Sequence, residues 1–483
     1  MNFRMIKQTL GYLLIFEAAF LLVPIITAVV YHEKTALFAF VATLVLCLVC
    51  GITAVSVVRP KSKQLFARDG FLIASASWLL MGLFGALPFV FSGAIPNYID
   101  ALFEIVSGFT TTGASILSEV ESLPKAILMW RSFSHWVGGM GVLVFIMVFL
   151  PLSGGQNMHI MKAESPGPSV SKLVPRVKDT ALILYAMYIV LTIAQFIALL
   201  IAGNTVFDSI NLAFATAGTG GFGIRNDSMA SFPAATQIIV SVFMILFSVN
   251  FNSYFFILRR NFKDAFNTEV KVFLGIVIAA TSIIALNINL ANIEGAESLG
   301  DAFRHSLFTV SSLISTSGFS TLDFDLWPEL SKMILVLIMF TGGCAGATCG
   351  GIKLSRIILM FKGMTRELSR LTHPKQIKKI TLDSRPVDSE VVRSVNAYVI
   401  CYVAVFFVSM FLLSLNNHGF TTNFTAVTAT INNIGPGLDL VGPTQNFGFF
   451  SPFSKLVLIF DMLAGRLELF PVLVLFAPST WKK

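Results

Sequence analysis

Charge is what this chain lacks. Only 12% of its 483 residues are Asp, Glu, Lys or Arg, while 55% are hydrophobic and the mean hydropathy is +0.79. Soluble domains carry about 25% charged residues, so a water-soluble fold of several domains is excluded. Cysteine is scarce too. Cys47, Cys50, Cys344, Cys349 and Cys401 all sit in apolar stretches. They offer no disulfide framework, and the metal-like Cys47–Cys50 spacing has no second pair, so these read as small buried hydrophobes. Among six histidines, His135, His159, His305 and His373 never meet an acid or one another at ligand spacing. No nucleophile–base set stands out, which argues against an intramembrane enzyme. Neither a P-loop nor a dinucleotide fingerprint is present, so no nucleotide is expected on this chain itself.

What the chain has in abundance is apolar runs. They cover 10–31, 36–57, 70–93, 126–151, 180–203, 235–258, 270–292, 329–361, 393–415 and 454–478. Each meets the roughly 20 residues that span hydrocarbon at about 1.5 Å per residue, so the chain reads as a polytopic membrane protein in a lipid bilayer. Arg4 and Lys7 before the first run resemble a signal peptide, but the run is long and a second follows at once. Basic residues cluster after alternate runs: Arg59, Lys61, Lys63 and Arg68; Lys162, Lys172, Arg176 and Lys178; Arg259, Arg260 and Lys263; Lys362 to Lys379; Lys482 and Lys483. If all ten runs cross, every cluster lies on one side, which the positive-inside rule makes cytoplasmic, with both termini inside. The net charge of +8 is mostly this bias, and nucleic acid is not an expected partner. Glu17 is costly in lipid and is expected to face protein, as a structural group more than a transport group.

One short construction recurs four times, roughly 100 residues apart. The copies are Thr110, Thr111, Thr112 and Gly113; Gly218, Thr219, Gly220 and Gly221; Ser315, Thr316, Ser317 and Gly318; and Asn432, Asn433, Ile434 and Gly435. Each is a run of small or polar residues with glycine in fourth place, and the registers agree upstream. Leu102 and Phe103 precede Gly113 as Leu307 and Phe308 precede Gly318, Phe424 holds the Leu position before Gly435, and Asp100 matches Asp208. The stretch from Asp100 to Gly113 is too short to cross the bilayer and too apolar for a free loop. It is expected to dip in and return, as irregular backbone at membrane depth does where it lies inside protein or lines a wet cavity.

The expected fold is therefore all-α and polytopic: four pseudo-repeated units of outer helix, pore helix, filter loop and inner helix around a central pore. The divisions are 65–165, 166–262, 263–372 and 373–483, preceded by a two-helix hairpin over 1–64. Glycine permits the backbone angles that aim consecutive carbonyls at one axis. Four such loops would stack rings of oxygens able to replace the water of an alkali cation. The hydroxyls of Thr110, Thr112, Thr219, Ser315 and Thr316 would add ligands or brace the loops, and the short helices would turn their negative ends inward. Beyond each glycine stands an acid, Glu119, Asp227, Asp323 and Asp439, with Glu121 and Asp325 nearby. Singly these are surface charges; as a set they read as an outer cation funnel.

The run at 329–361 is too long for one crossing and contains Gly342, Gly343, Gly346, Gly350 and Gly351. Close helix packing and a mobile unwound loop are both readings, and the loop is favoured because interior glycines destabilise a helix. Arg466, in the last run, is expected to face a cavity, a carboxylate or loop carbonyls, with Glu468 and Asp461 as candidate acids. It reads either as a barrier to passing cations or as part of a structural ion pair.

These residues resemble the Trk/Ktr/HKT superfamily of potassium transporters, most nearly its TrkH/TrkG branch of bacterial membrane subunits, over nearly the whole chain. The resemblance implies potassium uptake across the bacterial inner membrane through one ion path, with K+ as the transported ion. It implies that the four turn glycines belong to the filter, with Gly113, where sodium-favouring relatives carry serine, implying potassium preference. It also implies that the glycine-rich segment is an intramembrane gate and that Arg466 stands at the pore constriction. A homodimer and a cytoplasmic RCK-type nucleotide-binding regulatory subunit (TrkA-like) are the implied partners. The copies differ: Gly218 and Gly220 both occur in the second, and the fourth has no hydroxyls, so the tight discrimination of a fourfold channel is not expected. The rival is a sodium- or proton-coupled symporter with alternating access, whose breaks would recur in paired repeats with an ionisable midplane site.

Overall fold

The structure, a computed structural model, describes residues 2–57, 67–141, 177–375, 379–383 and 385–481. The basic residues Arg59, Lys61, Lys63, Lys162, Lys172, Arg176, Lys378, Lys482 and Lys483, together with His159, lie outside them. Most of the described residues are helical. The strands among the described residues are Thr381–Leu382 and Arg385–Pro386, an antiparallel pair.

A hairpin opens the fold. Phe3–Phe20 and Leu22–Val30 form one apolar span and Lys34–Val57 returns beside it. Gly11 and Gly51 set the contact: a Cβ on Gly11 would lie 2.9 Å from the Ala54 Cβ and 3.0 Å from the Gly51 carbonyl oxygen. Small residues let the two backbones approach, which is how helices gain packing in lipid. Glu17 is buried against the next helix, where a Cβ on Gly85 would come within 3.4 Å of its carboxylate.

Four sets of helices follow. The outer helices are Ala67–Gly85, Val177–Ile201, Thr268–Leu290 and Ser389–Leu413; the short pore helices are Tyr98–Phe109, Val206–Ala217, Leu299–Ile314 and Phe420–Ile431. The inner helices begin as Lys125–Gly139, Ala234–Ser248, Glu329–Thr341 and Pro452–Arg466. Sequence dictates the starts. Asn97, Thr205 and Ser298 cap pore helices 1 to 3 through their side chains, and Asp100, Asp208 and Asp301 sit in the first turns. These acids suit the positive helix ends. Pro124, Pro233 and Pro328 precede the first three inner helices and Pro452 begins the fourth, where a missing N–H costs nothing.

Packing closes these sets into a circle. Each pore helix packs on its own inner helix, and inner helices 1, 2, 3 and 4 also pack on pore helices 2, 3, 4 and 1.

Three of the inner helices are broken, and the unwinding expected from the glycines of the 329–361 run is one of the three breaks. Among the described residues six helices are long and apolar enough to span: the two of the hairpin and the four outer helices. Inner helix 2 bends by 90° between Ser248 and Phe251. Inner helix 3 unwinds from Gly342 to Lys353 before Leu354–Thr372, and inner helix 4 breaks at Glu468 and Leu469 before Phe470–Phe476. The first inner helix reaches Gly139, and most of 126–151 beyond it lies outside the described residues. Hydropathy reports composition along a run, not the continuity of its hydrogen bonds. At Ser248–Asn250 no glycine cluster or proline marks the break, whereas Pro471 stands in the first turn of the helix that restarts after Glu468–Leu469.

Gly11→Leu is expected to push the hairpin helices apart and destabilise the protein by about 1–3 kcal/mol through overpacking. A lowered midpoint of thermal unfolding in detergent would show it, and an unchanged midpoint would refute the tight contact.

Candidate functional site

The four turns are built alike. Each pore helix ends on a right-handed residue, Thr110, Gly218, Ser315 or Asn432, with φ of −76°, −69°, −78° and −95°. The next residue is left-handed in every copy: Thr111 at 56°, Thr219 at 56°, Thr316 at 58° and Asn433 at 54°. The third returns to negative φ, and the fourth, Gly113, Gly221, Gly318 or Gly435, is left-handed again at 80°, 77°, 80° and 100°. Alternating signs of φ turn successive carbonyls toward the same side. The left-handed second residue is locked by paired helix-end bonds, with Thr112 N–H donating to Ser107 O at 2.8 Å and Thr111 N–H to Gly108 O at 3.1 Å. Equivalent pairs close the other three copies, from Gly220 to Ala215, Ser317 to Ser312 and Ile434 to Ala429 at 2.8–2.9 Å.

The four glycines meet in a ring. A Cβ on Gly113 would collide with the Gly220 carbonyl, one on Gly221 with that of Ser317, and one on Gly318 with that of Ile434. One on Gly435 would lie 2.8 Å from the Thr112 carbonyl, which returns to the first copy. Glycine is thus required twice at this place, by its φ and by a neighbouring carbonyl. Gly218 and Gly220 are explained by the same closeness: the His135 main chain and imidazole occupy the space a side chain would need.

Buried polar groups brace the ring. Hydroxyls pair within loops, Thr110 with Thr112 and Ser315 with Ser317, both at 2.8 Å. The amide of Asn433 donates to the Thr112 hydroxyl at 3.0 Å and to Met462 O at 2.9 Å, so the fourth loop, which has no hydroxyl, ties itself to the first by other means. Tyr402 donates to Asn432 at 3.0 Å. His135 accepts the Phe222 N–H on Nε2 at 3.2 Å, so its Nδ1 carries the proton and donates to Gly108 O at 2.8 Å. Arg131 and Glu104 form a fully buried pair at 2.8 Å. Glu104 accepts from Ser115 and the Ile116 N–H, while Arg131 reaches Gly223 O of the second loop at 3.2 Å and stacks over Phe222. On the outer side Lys455 pairs with Asp100 at 2.6 Å, joining the fourth inner helix to the first pore helix.

Beneath the ring lies the glycine-rich segment, unwound as a loop and not packed as a helix. Gly342, Gly346 and Gly351 are left-handed, Gly343 abuts the Ser248 carbonyl, and Gly350 sits against Asn432 and Asn433. The Gly350 N–H donates to the Thr316 hydroxyl at 2.7 Å, so the loop touches the ring itself. Its other side is held by the bend of inner helix 2, through Cys344 N–H to Ser248 O at 3.0 Å and Phe251 N–H to Gly346 O at 3.3 Å. Arg466 points at the same place. It donates to Gly138 O, to Gly139 O at 2.6 Å, to Thr348 O at 2.7 Å and to the Thr111 hydroxyl at 3.4 Å. Of the partners weighed from sequence, loop carbonyls are therefore engaged. Glu468 pairs with Arg356, which lies over the Tyr398 ring, and Asp461 accepts from Ser409 at 2.6 Å.

Above the ring opens a cavity of about 110 Å³, bordered by all four glycines, Gly113, Gly221, Gly318 and Gly435. Glu119, Asp227, Asp323 and Asp439 do not border it; Arg131 and Arg225 do. The acids stand farther out and are partly engaged. Asp439 accepts from Thr422 at 2.5 Å, Asp323 from Thr444 at 3.1 Å and Asp227 from Ser231 at 3.1 Å, while Glu119 is exposed. Sequence reading missed Glu104, Arg131, His135 and Lys455. The signal for Arg131 and Lys455 was available, since each is a charge inside an apolar run.

The comparisons with known proteins agree with this architecture. The family model described as TrkH, cation transport protein, matches residues 36–483. The Trk system potassium uptake protein TrkH of Escherichia coli strain K12 is 36% identical over the whole of both chains, and TrkG of the same strain is 34% identical over 99% of each. The crystal structure of the potassium transporter TrkH from Vibrio parahaemolyticus superposes with a TM-score of 0.88 at 35% identity, covering all of both chains. The TrkH and TrkG relatives are named as potassium uptake proteins, transporters and not enzymes, and the family model covers most of the sequence: this chain belongs to the TrkH family of cation transport proteins.

Proposed function

We propose that this chain takes up potassium across a bacterial inner membrane through a single ion path, with both termini in the cytoplasm. The relatives' names supply the ion, and one observation carries the path: the third carbonyl of each loop abuts the glycine of the loop before it, in the cyclic order 1, 2, 3, 4. Residues 110–113, 218–221, 315–318 and 432–435 are the filter. Their alternating backbone presents carbonyls in place of water, and four pore helices direct their partially negative ends at the ion. The copies differ in side chains and bracing, so the filter favours potassium without fourfold-channel discrimination.

The segment containing Gly342, Gly343, Gly346, Gly350 and Gly351 is the gate, with Arg466 at the constriction. The contact of Gly350 with Thr316 and of Arg466 with Thr111 and Thr348 supports this reading, because these bonds tie the segment and the arginine directly to the filter loops. Glu119, Asp227, Asp323 and Asp439 raise cation concentration at long range, acting from the rim and not from the cavity wall. The chain works as a homodimer under a cytoplasmic RCK-type subunit that supplies nucleotide control.

Gly113→Ser places a side chain against the Gly220 carbonyl and is expected to weaken potassium-over-sodium selectivity at least about tenfold, a change of about 1.4 kcal/mol in relative barrier. Reversal potentials in mixed-cation flux measure it, and unchanged values would rule against the filter. Arg466→Ala, or shortening of 342–351, is expected to raise unregulated cation flux in proteoliposomes, and flux at the parent level would discard the gate. Growth of a potassium-uptake-deficient bacterium at micromolar potassium tests the transport assignment as a whole.

A further inference from the structure

Outside the ring, one carboxylate grips both flanks of the intramembrane loop. Glu269 lies in the first turn of outer helix 3 and is 6% exposed. Its Oε1 accepts the Ala345 N–H at 2.8 Å and the Ser355 N–H at 3.0 Å. Ala345 stands near the start of the unwound segment and Ser355 just past its end, in the first turn of the helix that resumes there. One oxygen therefore pins together two points ten residues apart, and the arc between them bonds Thr316 through Gly350 and Arg466 through Thr348. A buried side-chain oxygen that accepts two main-chain N–H groups satisfies donors that water cannot reach. Its removal leaves both donors unsatisfied in the interior.

The same helix turn is held from the far side. Asp383, in the tight turn between the two short strands, accepts the Thr268 N–H at 2.7 Å and the Thr268 hydroxyl at 2.6 Å. The strand pair is also bonded to the helix after the loop, through Lys362 Nζ to Thr381 O at 2.7 Å. Asp383 and Glu269 thus act through adjacent residues of one helix end.

We propose that Glu269 is a positioning residue that clamps the base of the intramembrane loop, and that Asp383 couples this clamp to the strand pair outside the membrane. The inference rests on the loop being the gate only for its consequence in transport, not for the clamp itself. A shift of the strand pair would move the turn bearing Glu269 and so the two ends of the arc. The side chain acts by accepting hydrogen bonds, so a glutamine oxygen in the same place retains the clamp in weaker form.

Thiol labelling of the full chain in membrane vesicles tests this, because Cys344 and Cys349 lie within the loop and are buried, while buried Cys47 in the hairpin serves as an internal reference. With maleimide and mass mapping of each cysteine, Glu269→Ala is expected to raise Cys344 and Cys349 labelling relative to Cys47 at least about fivefold, as the loss of a buried acceptor implies. Glu269→Gln is expected to stay within about twofold of the parent, and Asp383→Ala to raise labelling at least about twofold. Unchanged labelling in Glu269→Ala, or equal labelling in Glu269→Gln and Glu269→Ala, would overturn the clamp. Unchanged labelling in Asp383→Ala would overturn the coupling, and this exposed position carries the test should Glu269→Ala not fold. Parallel flux measurements separate the two readings: more labelling without more cation flux leaves the clamp standing and counts against the gate, whereas more flux without more labelling overturns the clamp.

Discussion

The structure depends on four main-chain segments standing closer together than side chains would permit. Each turn glycine faces a carbonyl oxygen of the next loop, so the centre is walled by backbone dipoles with their negative ends converging. Like dipoles repel, and the left-handed threonines add strain, since a β-branched residue in that region is an outlier. An arrangement of this kind persists only when its surroundings over-determine it. That explains the density of buried polar bonds around the loops: the His135 bridge and the Glu104–Arg131 pair fix loops from outside the ring, and the Asn433 amide ties the fourth loop to the first. Such buried pairs are weak sources of stability in themselves, because desolvation offsets their attraction, but they specify one geometry. Here geometry is what a ring of carbonyls needs.

Much of this was legible in the sequence because glycine was required there for two reasons at once. Where only one residue type serves, a repeat is visible even between copies as unlike as Thr-Thr-Thr-Gly and Asn-Asn-Ile-Gly. The left-handed residue before it was hidden, since threonine gives no local sign of that conformation and the neighbouring helix-end bonds impose it. The unwound segment of the third unit was visible through its glycines, the break at Glu468–Leu469 had only Pro471 beyond it as a local sign, and the break at Ser248–Asn250 had none. The last is held by tertiary contacts, such as the Phe251 N–H bonding to Gly346 O, which no local pattern records. The outer acids were found, but their distance from the axis was not, because sequence gives order along a loop and not the direction in which it leans. Arg131 is the plainest omission. An arginine within an apolar run demands a partner, and Glu104, in the first pore helix, was there to supply it.

The pseudo-fourfold frame also shows what a single polypeptide gains over four identical chains. The loop below the ring comes from the third unit alone, and each of the others makes a different contact with it or with Arg466. The second offers the Ser248 carbonyl and the Phe251 N–H, the fourth offers Arg466, and the first receives Arg466 on Gly138 and Gly139. Four identical subunits would bring four such loops to one axis, where one fills the space. On the proposed gate, inequivalent units allow a single loop and a single arginine below the ring.

That cation bears on how the ring and the loop work together. On the proposed path, a guanidinium about 8 Å from a passing ion opposes it by about 2 kcal/mol at an effective dielectric of about 20. This is an order of magnitude in rate and not a seal. The carbonyls that hold Arg466 reduce the field it projects, and one of them, Thr348 O, belongs to the loop. Displacing the loop would therefore unblock the space below the ring and at the same time release a hydrogen-bond partner of the arginine. Steric and electrostatic control are joined at one oxygen atom, so neither would change alone when the loop moves.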